Sequence, residues 1–248
     1  MNRTTLAAIA PLIAFGLALD PNPAMAQQYN SDSWLSKPHG QATIIVTYGE
    51  RNAMFMDTFS LFPRWEFTGA VYIFDADDDP ATDDGYSTSV YAKYMFYENK
   101  QQTGGAAVKF GTGLDPGYLD ELGLKDAFQT YWMNVPVTVP LCNNKVSWDI
   151  MPGASMTLNR GRDAEPAGSF TYSTRAAWYA FGPTASIVGE VFGAEGGSPA
   201  IPEYRIGLRW EPSQYVVLAL TYGDEFNGSN GAGIELGAML FTPPFLKL

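Results

Sequence analysis

The stretch Val146-Ser-Trp-Asp-Ile-Met-Pro-Gly-Ala-Ser-Met-Thr-Leu-Asn159 alternates in polarity from one residue to the next. Its even positions are the apolar ones: Val146, Trp148, Ile150, Pro152, Ala154, Met156 and Leu158. Its odd positions, apart from Met151, are polar or small. Side chains of a β-strand point alternately to opposite faces, so this pattern predicts a strand with one apolar face and one mostly polar face.

The same alternation recurs along the chain. Gly105 to Leu114 and Glu203 to Glu211 show it clearly, whereas helical periodicity is weak outside Tyr118 to Phe128. The sequence therefore predicts an all-β protein. We expect twelve strands, or ten if residues 41–60 lie partly outside the sheet. The alternation is least clear in the predicted strand 53–60. The predicted strands are 41–49, 53–60, 65–75, 86–98, 104–114, 128–141, 145–158, 169–181, 184–194, 203–211, 215–223 and 232–242.

Period-two alternation also fits a soluble sandwich or a lipocalin-like barrel, but two features favour a membrane protein. Aromatic residues lie near strand ends on the apolar face, as in the girdles of transmembrane barrels. From the third strand onward, long connections alternate with short ones, which matches long external loops and short periplasmic turns. The sequence thus predicts an antiparallel transmembrane β-barrel. The aromatic residues concerned are Tyr48, Tyr86, Phe96, Trp148, Phe170, Trp178, Tyr204, Trp210 and Tyr222.

The first 26 residues have the pattern of a secretory signal peptide. Arg3 precedes an apolar stretch, Leu6 to Leu19, and Ala24-Met25-Ala26 matches the small-residue cleavage pattern. At about 14 residues this stretch is short for a membrane span. We expect cleavage after Ala26, with residues 27–248 forming an outer-membrane β-barrel in a Gram-negative bacterium.

Composition argues against several other functions. The net charge of −11 and the absence of Lys/Arg clusters argue against nucleic acid as a partner. Cys142 is the single cysteine, and we expect neither a metal site nor another cofactor. The acidic stretch Asp75–Asp84 lacks the spacing of a calcium-binding EF-hand loop, so we expect it to be a solvated loop. His39, the single histidine, precedes the first strand, and no G-x-S-x-G motif marks a nucleophile, so we expect no enzyme activity and no catalytic residues.

Ionisable residues on the polar faces are expected to line the lumen, because charges facing lipid are unfavourable. Both signs occur, so they either brace the wall or form a constriction that selects solutes. The full set is Glu66, Lys93, Lys109, Asp149, Arg175, Glu190, Glu203, Arg205, Arg209 and Glu235. The selectivity candidates among them are Arg175, Glu190, Arg205, Arg209 and Glu235, with Lys93 and Lys109 as further candidates.

Val135–Leu141, Trp148–Gly153 and Tyr204–Trp210 resemble segments of small outer-membrane transporter barrels related to the MetA-pathway phenol-degradation proteins. The resemblance implies passage of small, hydrophobic or aromatic solutes across the outer membrane. A structural or partner-binding barrel with a closed lumen is the alternative, and a lipid-modifying enzyme and a soluble periplasmic protein are further ones. Expected partners are outer-membrane lipids, lipopolysaccharide and a small-molecule solute; the sequence leaves the oligomeric state open.

Overall fold

A computed structural model describes residues 32–33, 35, 39–74, 85–115, 128–158, 166–196, 200–227 and 231–246. The predicted signal peptide and the acidic stretch 75–84 lie outside these residues. Within the described part there is no helix long and apolar enough to cross a membrane. The strands are β1 (Ala42–Gly49), β2 (Asn52–Phe62), β3 (Trp65–Phe74), β4 (Gly85–Glu98), β5 (Gly105–Gly113), β6 (Thr130–Asn134), β7 (Val137–Leu141), β8 (Val146–Thr157), β9 (Ala167–Trp178), β10 (Ala185–Gly196), β11 (Ala200–Ser213), β12 (Val216–Glu225) and β13 (Gly233–Phe241).

These segments form one closed antiparallel barrel of twelve strands. Apart from β6 and β7, which do not pair with each other, each segment pairs with its neighbours in chain order, and β1 pairs with β13 to close the sheet. The segments β6 and β7 both lie between β5 and β8 and together make one strand, interrupted at Pro136, which has no N–H to donate. The predicted fold and the count of twelve are confirmed.

The ten-strand alternative is wrong. Residues 52–62, where the sequence signal is weakest, pair along their length with both β1 and β3. The weak signal has a physical reason: Met56 faces inward among apolar neighbours, so the two faces of β2 differ little in polarity.

The alternating faces are oriented as the membrane prediction requires. On β11, Leu208 is 56% exposed on the outside, whereas the adjacent Arg209 is 3% exposed on the inside. Ile206 and Leu218 likewise point outward. A water-soluble barrel would bury such residues at its centre, so the apolar outer surface is suited to hydrocarbon.

Aromatic side chains form two exposed bands at the ends of the strands. Tyr48 and Tyr222 lie at the end where the long connections emerge, and Trp178 and Trp210 lie at the end of the short turns. The residues just before β1 and just after β13 lie at the short-turn end, where the Phe245 N–H donates to the Gly40 carbonyl (2.7 Å). Such bands mark the two membrane interfaces in transmembrane barrels.

Candidate functional site: the barrel lumen

One wall of the lumen carries a row of alternating charges. Asp149, Arg175, Glu190 and Arg205 occupy opposed positions on the successive strands β8, β9, β10 and β11. Side chains opposed in this way lie close enough to interact directly. The Arg175 guanidinium donates to one Asp149 carboxylate oxygen from Nε (2.9 Å) and from its terminal nitrogen (2.6 Å). We call these four residues the charge ladder.

Further carboxylates gather around Arg205, the last cation of the charge ladder. Its Nε contacts Glu203 (3.2 Å) and a terminal nitrogen contacts Glu235 (2.7 Å). The Thr221 hydroxyl donates to the same Glu235 oxygen (3.3 Å), and the Arg205 guanidinium lies 5.3 Å from the centre of the Phe192 ring. Arg205 therefore links β11 to β13 across β12.

Arg209 lies nearer the short-turn end and belongs to a separate group. Its Nε is 3.0 Å from Glu211, whose carboxylate also accepts a hydrogen bond from the Tyr179 hydroxyl (3.1 Å). Arg209, Glu211 and Tyr179 are thus the charged and polar residues of this wall that lie nearest the short turns.

The wall formed by β3, β4 and β5 carries two buried lysines. Lys93 is opposed to Glu66 and forms an ion pair with it at 2.6 Å. Lys109 is opposed to Lys93 on the next strand and has no exposed surface. Its ammonium lies 4.9 Å from the centre of the Tyr91 ring and 5.8 Å from that of Trp132, close enough for cation–π attraction.

A segment that precedes the first strand lies inside the lumen against these lysines. The Asp32 carboxylate is 3.4 Å from Lys93 and 3.3 Å from Lys109. Lys93 also donates to the Leu35 carbonyl (2.8 Å), and the Leu35 side chain packs against Met95 and Ala107. We call Asp32, Ser33 and Leu35 the inserted segment.

An apolar row crosses five neighbouring strands on the remaining part of the inner wall. Val217, Met239, Ile45, Met56 and Ala70 are opposed in succession from β12 through β13, β1 and β2 to β3. All five are buried, and they belong to one apolar cluster. The inner surface of the barrel thus carries an apolar row in addition to its charged residues.

All seven predicted selectivity residues face the lumen and are buried. The structure brings Arg175, Glu190, Arg205 and Glu235 together, places Lys93 beside Lys109, and sets Arg209 apart. Their role in selectivity stays a prediction. Sequence reasoning missed Asp32, because strand periodicity carries no information about a chain segment inside the lumen. It also assigned no role to Tyr91, Trp132 or the apolar row, although parity alone places Tyr91 on the inner face.

The charged residues of the lumen are almost completely shielded from solvent. None of them, Asp32 included, is more than 4% exposed. No group of three or more potential metal ligands occurs among the described residues. The charged side chains of the lumen therefore contact one another more than they contact water.

A groove of about 710 Å³ lies in the wall formed by β2 to β6, and the inward side chains of Tyr91 and Trp132 form part of its lining. Phe59, Val90 and Phe110 border it on the lipid-facing side. Gly69 leaves it open, since a Cβ added there would meet nothing within 4 Å.

No family model matches the sequence, and no curated protein matches it either. Solved structures of outer-membrane channels do match the fold. An outer membrane channel from Pseudomonas putida F1 matches with a TM-score of 0.56 at 12% identity, over 91% of this chain and all (100%) of that one. The KdgM porin in complex with disordered oligogalacturonate gives 0.55 at 10% identity (81% of this chain, 98% of that one), and the NanC porin gives 0.51 at 7% (83% and 99%). The chain thus has the twelve-stranded barrel fold of outer-membrane porins and channels.

Proposed function

We propose that this protein is an outer-membrane channel for the passive passage of small solutes, including hydrophobic or aromatic ones. The observation that carries the proposal is the division of the inner wall into an apolar row and a charge ladder. A solute with an apolar body and a polar group would find a matching surface for each part. The barrel's apolar exterior and its likeness to porins support the outer-membrane location.

Ion conductance in planar lipid bilayers tests the channel. We expect discrete conductance steps from the full chain folded in detergent, and a reversible decrease of the current when benzyl alcohol is added. The substitution Met56→Gln, which makes the apolar row polar without changing its size, should weaken this block. Met151→Gln is the matched control, because Met151 is an equally buried inward methionine outside the apolar row. Equal block in both variants would contradict a role for the apolar row.

A closed barrel with a structural or partner-binding role is the second candidate, and the shielding of the lumen charges favours it. Loosening the inserted segment discriminates the two. Leu35→Ser removes the packing of Leu35 on Met95 and Ala107 but leaves every charge in place. Conductance that appears or rises in this variant supports the channel, whereas bilayers that stay silent with both proteins support the closed barrel.

The location has its own test. A transmembrane barrel should stay with the membrane fraction until detergent is added. Release by osmotic shock alone would instead indicate a soluble periplasmic protein.

A further inference from the structure

We propose that Lys93 and Lys109 form a carboxylate-binding site in the lumen, which the chain's own Asp32 occupies in this structure. This inference rests on the proposed function and names a solute class for it: small aromatic carboxylates. Three features of the described residues carry it.

The first feature is the charge balance of the wall. Among the described residues, Arg175, Arg205, Arg209 and Lys93 each have an ion-pair partner on a strand of the barrel. Lys109 differs, since its ion-pair partner is Asp32 of the inserted segment. Asp115, which follows β5, also acts on Lys109 electrostatically, and its carboxylate accepts a hydrogen bond from the Asn134 side-chain amide (2.8 Å). Without Asp32, Lys109 would keep only the longer-range attraction of Asp115 and would have no ion-pair partner among the described residues, which is unfavourable in a buried place unless another anion takes that position.

The second feature is the incomplete hydrogen bonding of Lys109. Its ammonium makes no hydrogen bond of normal geometry within the described part of the chain, although it is fully buried. The Asp32 contact at 3.3 Å is an ion pair without the directionality of a hydrogen bond. A carboxylate free to adjust its position could approach both lysines more closely than one fixed to a chain.

The third feature is the aromatic surround. The Tyr91 and Trp132 rings lie 5.3 Å apart and flank the Lys109 ammonium. A carboxylate attached to a ring would place its charge at the lysines and its ring near these aromatic side chains, where aromatic pairs attract one another. The geometry therefore favours an aromatic carboxylate over an inorganic anion.

Binding of benzoate to the full chain folded in detergent tests the site, with Trp fluorescence or calorimetry as the readout. Asp32→Asn removes the competing carboxylate and should bind benzoate at least tenfold more tightly than the unsubstituted protein. Asp32→Asn combined with Lys109→Met should lose this gain. Benzamide, which has the same shape without the charge, should bind all three proteins equally weakly.

A second variant tests the same site in case Asp32→Asn does not fold. Leu35→Ser weakens the hold of the inserted segment and leaves Asp32 in place, so it should also raise the affinity for benzoate. Barrel integrity is checked in every variant by heat-dependent mobility in gel electrophoresis.

The inference is overturned if neither variant binds benzoate more tightly, or if benzamide gains as much affinity as benzoate. Because the assay needs no ion flow, its failure differs from failure of the channel. If the protein binds benzoate but never conducts ions, the proposed channel function is contradicted and the carboxylate-binding site is supported. Conductance without a benzoate preference would remove the site and leave the channel.

Discussion

Breaking the ion pair between Asp149 and Arg175 should be among the most destabilising single changes that can be made to this barrel. Both side chains are nearly fully buried, and two guanidinium nitrogens contact one carboxylate oxygen at 2.9 and 2.6 Å. Removing one partner of a buried pair leaves the other charge uncompensated, at a cost of about 3–5 kcal/mol. We expect Arg175→Met to lie at the upper end of this range, because it deprives Glu190 of a neighbouring cation as well. Asp149→Asn should cost less, since Asp32 also acts on Arg175.

A double-mutant cycle measures the pair itself. Equilibrium unfolding in denaturant from lipid vesicles, followed by Trp fluorescence, gives the free energy of unfolding of each variant. The double variant should be less destabilised than the sum of the single ones, by roughly 2–3 kcal/mol. Lys145→Met, which removes an exposed cation in the turn before β8, is the control and should change stability by less than about 0.5 kcal/mol. Additive single effects, or a loss of less than about 1 kcal/mol for Arg175→Met, would refute the reasoning.

Three further predictions follow from the packing of the inner face and from the orientation of the barrel in the membrane. Leu208→Arg puts a cation on the lipid-facing surface and should destabilise the folded barrel by about 2–4 kcal/mol in the same unfolding assay; a cost no larger than that of Leu208→Ala would contradict the membrane orientation. Gly153→Ala should cost about 1–3 kcal/mol, because its Cβ would overlap Asn134 Oδ1 and lie 2.6 Å from Thr171 Oγ1. Gly189→Ala, whose Cβ would meet nothing within 4 Å, is its control. Equal free energies of unfolding for the two variants would show that the side chains around Gly153 move aside at no cost. Cys142 is exposed in a short turn, so a membrane-impermeant maleimide should label it only after the outer membrane is permeabilised; labelling in intact cells would invert the assigned topology.

The fold was predictable because the two faces of most strands have opposite chemistry. On β8, Ser147 and Asp149 face inward while Trp148 faces outward, as their alternation in the sequence indicates. Where the inner face is apolar the signal weakens, as at Met56 on β2. The sequence predicts one continuous strand here and does not show the interruption between β6 and β7. The interruption is local, because the Pro136 carbonyl still accepts a hydrogen bond from the Ala107 N–H and the Val135 N–H still donates to the Pro152 carbonyl.

The candidate site was predictable only in part, for a related reason. Parity assigns a side chain to the inner or outer face but gives no register between strands. The sequence therefore placed Arg175 and Glu190 in the lumen without showing that they are opposed. Asp32 has no periodic context, so its contact with Lys109 depends on a tertiary arrangement that alternation does not encode.

The charge ladder and the lysine pair Lys93 and Lys109 differ in what would happen if the inserted segment withdrew. The charge ladder is compensated by carboxylates carried on the strands themselves, so it would keep its pairing. Lys109 would instead lose its ion-pair partner, because that partner belongs to the segment. A passage opened by withdrawal would therefore form beside β4 and β5, with a positive charge exposed where Asp32 had been. Since the chain as a whole carries a net charge of −11, the attraction for an anionic solute would be local to Lys109 and would not extend over the protein surface.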